Sequence, residues 1–182
     1  MKTKRYFNQI LKPYKNIIKE LTGSYTDINV VIGSNFCCYC REDYDKEIEI
    51  PLFEDTMGRV TFHNKMKRKL KEYGIDDEFS CEILSFLHEV GHIYTYNKWA
   101  DFKYTIGTRL IEKIQPLFKN SYKMTNFFFN LYYSFKLESN ADHWAMDYIK
   151  YHKEQVHKWE YAIAKNYNYV LPKMIEKEIV KI

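Results

Sequence analysis

The stretch Ser85–Tyr96, SFLHEVGHIYTY, places two histidines four residues apart, with a glutamate directly after the first. Its flanking apolar residues predict a helix over 77–97. At about 100° per residue, Phe79, Ile83, Phe86, Leu87, Val90 and Tyr94 share one broad face, and His88 and His92 lie together on the opposite side, off the core. Stacked one turn apart, the two imidazoles can converge on one ion. Glu89 sits one step round the helix, within reach of a water on that ion but turned away from ligation, which is where a general base belongs. Gly91 costs up to about 1 kcal/mol relative to alanine inside a helix. A backbone passing close by would account for it, and the edge strand of a sheet is the candidate.

Outward from this helix, the pattern gives an α+β, mainly helical single domain with a small N-terminal β-sheet packed on the metal helix. Ile10, Tyr14, Ile17, Ile18 and Leu21 are helically spaced and closed by Gly23, predicting an opening helix over 4–22. Ile28 to Cys40 reads as a strand, or as a strand with a bulge near Gly33. The polar REDYD turn then leads into KEIEIPLF, whose Ile48, Ile50 and Leu52 alternate, so the two segments form a hairpin. GRVTFH, from Gly58, is a candidate third strand. Further helices are expected over 64–73, 106–118 and 123–151, with fragments after Gln155. No repeat, linker or low-complexity tract divides the 182 residues, so residues 1–182 read as one domain.

Composition bounds the function. The net charge of +4 is spread among acidic residues, and the densest basic run, HNKMKRKLKEYG from His63, reads as the solvated face of an amphipathic helix, which makes nucleic acid an unexpected partner. The basic N-terminus has no continuous apolar stretch of the kind a secretory signal needs. No apolar run approaches the roughly 18 residues of a membrane span. A soluble, cytoplasmic protein with no membrane partner is therefore expected. Cys37, Cys38, Cys40 and Cys81 should be free thiols there. Cys37 and Cys40 form a C-x-x-C, but no second pair of similar spacing completes a zinc knuckle, and β-rich surroundings make them ordinary strand residues.

Two histidines need a third protein ligand. A histidine six residues after His92 would complete one known pattern, but Lys98 stands there. The segment FKLESNADHWAMDYI supplies Glu138 on an amphipathic helix whose Leu137, Ala141, Trp144, Ala145 and Tyr148 form the packing side. Asp142, one turn on, can accept the second N–H of a ligating histidine and fix its tautomer. Small Ala141 and Ala145 would let this helix approach the metal helix closely.

HEVGH followed by ESNADHWA resembles the gluzincin arrangement, and more narrowly the ImmA/IrrE-type metallopeptidases of phages, mobile elements and bacteria. That group carries H-E-x-G-H and a later E-x-x-A-[DN]-x-[FW]-A helix, matched here by Glu138, Ala141, Asp142, Trp144 and Ala145. The resemblance spans about residues 77–149; the segment 98–130 is longer than the family layout suggests. It implies a Zn2+-dependent peptidase with His88, His92 and Glu138 as metal ligands, Glu89 as catalytic base, Asp142 behind a ligand, and a protein or peptide substrate, with a transcriptional repressor as one candidate. An oxyanion donor is also expected, and Tyr94, Tyr96, His63 and His143 remain open for that role. Two other readings stand beside it. In one, zinc staples helices in a non-catalytic module that binds protein or nucleic acid. In the other, a SprT-like DNA-associated protease, a later histidine such as His143, His152 or His157 replaces Glu138.

Overall fold

The computed structural model describes residues 2–23, 28–33, 37–40, 46–51, 56–96, 98–118 and 122–179. It is mainly helical with one small sheet, as the sequence pattern predicts. Helix α1 spans Lys2–Thr22 and runs through Pro13. It buries Leu11, Tyr14, Ile17 and Ile18 and ends at Gly23, whose φ of +78° is a left-handed conformation that glycine adopts without penalty.

Strands β1 (Ile28–Gly33), β2 (Cys37–Cys40) and β3 (Lys46–Pro51) form a sheet of order β1-β3-β2. The expected hairpin exists between β2 and β3, which pair antiparallel with Cys38 opposite Ile48. Ile28 to Cys40 is not one strand, however: β1 ends at Gly33 and lies parallel to β3 on its other side, with Val30 opposite Ile48 and Ile32 opposite Ile50. The REDYD turn and the side chains of Cys37–Cys40 fall outside the described residues. Because β3 is central, its Ile48 and Ile50 are fully buried. The sheet packs on the helix carrying the two histidines.

GRVTFH is not a strand. It opens helix α2, Thr56–Glu72. Phe62, Met66 and Leu70 recur at four-residue spacing on one face of it and join the core, which outweighs the modest β-preference of Val60 and Thr61. Helix α3 (Cys81–Thr95) follows after an extended segment in which Phe79 is buried. The backbone N–H of Ser80 at its start donates to the carboxylate of Glu160. Every residue from Ile83 to Gly91 is buried, so α3 is central and the two-faced picture of this helix is corrected. His88, only 3% exposed, faces a second helix rather than solvent, and Tyr94 at 45% is the residue left outside.

Helix α4 (Lys98–Ile114) and a 3-10 turn (Gln115–Phe118) lead to α5 (Tyr122–Tyr133) and α6 (Lys136–Ile179). The single helix expected over 123–151 is broken at Ser134 and Phe135. The Ser134 hydroxyl donates back to Leu131 O at 2.7 Å, and the Phe135 ring lies against Gly107 of α4. The break puts Glu138 in the first turn of α6, where the helix dipole favours a carboxylate. Residues after Gln155 are no set of fragments. They continue α6 past a bend at His152, whose φ/ψ of −132°/32° is not helical. This half returns along α1: Val156, Trp159 and Ile163 enter the same hydrophobic cluster as the sheet, α1 and α3, and Trp159 Nε1 donates to Glu20 at 2.6 Å.

Candidate metal centre

The contact between α3 and α6 explains Gly91. A Cβ built on Gly91 would lie 2.5 Å from the carbonyl oxygen and 2.9 Å from the Cα of Ala141. The backbone that passes close is therefore that of α6, not the edge strand expected from the sequence. Ala141 and Ala145 are fully buried in the contact, and the short separation lets side chains one turn away meet across it.

His88, His92 and Glu138 meet there, offering one ligand atom each, all within 4.8 Å of one another. The Nε2 atoms of His88 and His92 are 3.2 Å apart. Glu138 Oε2 is 3.2 Å from His88 Nε2, and Oε1 is 3.7 Å from His92 Nε2. A tetrahedral ion with bonds of about 2.0–2.1 Å separates its donors by about 3.3 Å, so the spacing fits. The donor chemistry fits as well. His88 Nδ1 lies 2.9 Å from Asp142 Oδ1, and its N–H donates to that carboxylate. Once His88 is neutral, this leaves Nε2 as a lone pair beside another imidazole nitrogen and a carboxylate oxygen, a donor set that could hold a metal ion.

Asp142 is completely buried, and its second oxygen is 2.8 Å from Lys65 Nζ and 3.3 Å from Lys69 Nζ. Both lysines come from α2, which also sets the Phe62 ring edge-on to His88 at 5.2 Å. The basic run was expected to be solvated, yet Lys65 is only 8% exposed. Its contribution was missed in sequence, although Lys65 and Lys69, one turn apart beside Met66 and Leu70, carried the signal. Glu89 is buried on α3 at 8% exposure.

The charges shape each other. Burial alone would push the His88 imidazole down, but its hydrogen bonds to Asp142 and Glu138, with the nearby charges of Glu89 and Glu138, carry it up to about 10. Burial and the His88 cation together push His92 down to about 4. Burial likewise works against ionised Glu138 and Asp142, yet His88 holds both below the usual carboxylate range. In the metal-free protein at neutral pH, His88 therefore carries two protons and His92 one. Metal binding at pH 7 should release about one proton, from His88 Nε2. Its equilibrium constant should rise about tenfold per pH unit between pH 6 and 8. Titration calorimetry in two buffers of different ionisation heat measures the proton directly; release of none would contradict this charge assignment.

The other histidines of interest lie elsewhere. His143 is exposed beside the Tyr73 ring, His152 packs on Tyr148, and His157 stacks on Phe79. Among the described residues none joins the cluster. Of the oxyanion candidates, Tyr94 donates to Leu21 O at 3.2 Å and stacks on Trp144, so its hydroxyl is engaged away from the site. His63 and Tyr96 are half-buried. No family model, curated protein or solved structure was found to match the chain.

Proposed function

We propose that the protein is a zinc-dependent metallopeptidase. The observation that carries this reading is the buried convergence of His88, His92 and Glu138, with Glu89 on the same helix directly after the first ligand. A structural staple has no need of a buried carboxylate in that position. A bound zinc ion supplies Lewis acidity, polarising a peptide carbonyl and making water a stronger acid.

The chain's own residues do the rest. His88, His92 and Glu138 would hold the ion. Asp142 keeps the proton on His88 Nδ1, so that Nε2 presents its lone pair, and Lys65 holds the Asp142 carboxylate in place. Glu89 accepts a proton from the attacking water and passes it to the departing amine. The substrate is a protein or peptide; a regulatory protein is the favoured class from the family resemblance.

The reading is tested by incubating the protein with unfolded protein substrates, with and without a zinc chelator. Cleavage should stop on chelation and return when zinc is restored. Cleavage that persists in chelator would exclude the metal from the reaction.

A further inference from the structure

Helix α4 carries apolar residues on two faces, of which Gly107 and Ile111 mark the buried one. On the inner side the Phe135 ring lies so close to Gly107 that a Cβ there would meet its Cζ at 2.2 Å. Ile111 is buried, and the Tyr104 hydroxyl touches that of Tyr132 on α5. The opposite face carries Ile106 and Leu110, 54% and 57% exposed, continued by Phe102 at 58%. Beyond its end stands Leu117, 77% exposed, and α5 adds Phe127 at 55%. Most of the large exposed hydrophobic side chains of the described residues belong to this hairpin.

Its charge is one-sided. Lys103, Arg109 and Lys113 lie within about 60° of Ile106 around the helix. The acidic residues of α4, Asp101 and Glu112, fall at about 120–140°, on the far side. From Lys113 to Leu137 the chain has no acidic residue at all. A second copy is a poor occupant, because antiparallel pairing through Ile106 sets Lys103 against Arg109 and opposes like charges. Side chains more than half exposed project as a ridge rather than line a groove. A lipid interface accepts projecting Phe, Ile and Leu without a shaped pocket, while phosphate groups at its surface meet the flanking cations.

We propose that the outer face of α4 is a peripheral docking surface for an anionic lipid bilayer. Ile106 and Leu110 enter the boundary between headgroups and acyl chains, and Lys103, Arg109 and Lys113 stay at the level of the phosphates. No spanning segment is needed. No described helix is long and apolar enough to cross a membrane, and α4, 17 residues long, lies in the plane of the surface. The absence of a membrane partner, expected from the lack of a span, does not extend to this mode of binding. The proposal is independent of the peptidase reading.

The test is co-sedimentation of the full chain with phosphatidylcholine vesicles, with and without phosphatidylserine. The protein should sediment with the phosphatidylserine vesicles alone and be released by high salt. Ile106→Asp should weaken binding at least about tenfold, and Arg109→Ala about fivefold, with helix content and metal content unchanged in both. Failure to sediment with phosphatidylserine vesicles, or equal sedimentation of Ile106→Asp, overturns the proposal. So does a dimer in sedimentation equilibrium that Ile106→Asp dissociates, which would give the face to a second copy. Binding to polyglutamate without binding to vesicles would give it to an acidic protein and overturn the lipid assignment equally.

Discussion

If the proposed peptidase reading holds, Glu89→Gln should fold, bind metal as the wild type does and lose about 10²–10⁴ of the proteolytic rate. Glutamine preserves the shape and packing of a side chain that is 8% exposed in α3, and the three donor atoms of the metal cluster come from other residues. What it removes is the ability to accept a proton from water. The comparison is a digestion time course with wild type and variant side by side, with metal measured on both samples. Equal rates would remove Glu89 from the mechanism, and loss of metal would make it part of the binding site instead.

Gly91→Ala should destabilise the protein although alanine is the better helix former. The propensity gain is at most about 1 kcal/mol. The new methyl group would sit 2.5 Å from the Ala141 carbonyl oxygen, a backbone atom that cannot rotate aside, and overpacking of this kind costs about 3 kcal/mol or slightly more. The net loss of about 2 kcal/mol lowers the melting midpoint by roughly 4–8 °C in a chain of this size. Metal affinity should fall with it, because moving α6 off α3 carries Glu138 away from His88 and His92. Calorimetry of the metal-free protein separates the two effects. A raised midpoint would mean that α3 and α6 do not approach at Gly91.

The convergence of His88, His92 and Glu138 was legible in sequence because helical geometry carries it. His88 and His92 share a face by spacing alone, and the later Glu138, Ala141 and Asp142 set a second helix with small residues where closeness is needed. Legibility failed where partners come from afar. Periodicity placed the histidines outside the core, since a helix covered on both sides looks amphipathic when its second partner, α6, contributes buried polar groups rather than apolar ones. The segment from Gly58 looked like a strand because Val60 and Thr61 favour one locally, whereas Phe62, Met66 and Leu70 decide it through contacts across the molecule. The parallel pairing of β1 with β3 has no local signature, because register between distant strands is set by the face they bury. Lys65 shows the same limit: its place beside Met66 and Leu70 hints at burial, but its partner, the Asp142 carboxylate, lies more than seventy residues later.

The most direct test of the centre is the metal content of purified, zinc-loaded protein by mass spectrometry, for wild type, His88→Ala and Glu138→Ala together. Wild type should hold about one zinc per chain after dialysis, and both variants should hold none while retaining helical circular dichroism. A wild type that emerges metal-free, or a Glu138→Ala protein that keeps a full complement of zinc, would contradict the three-ligand site formed between α3 and α6.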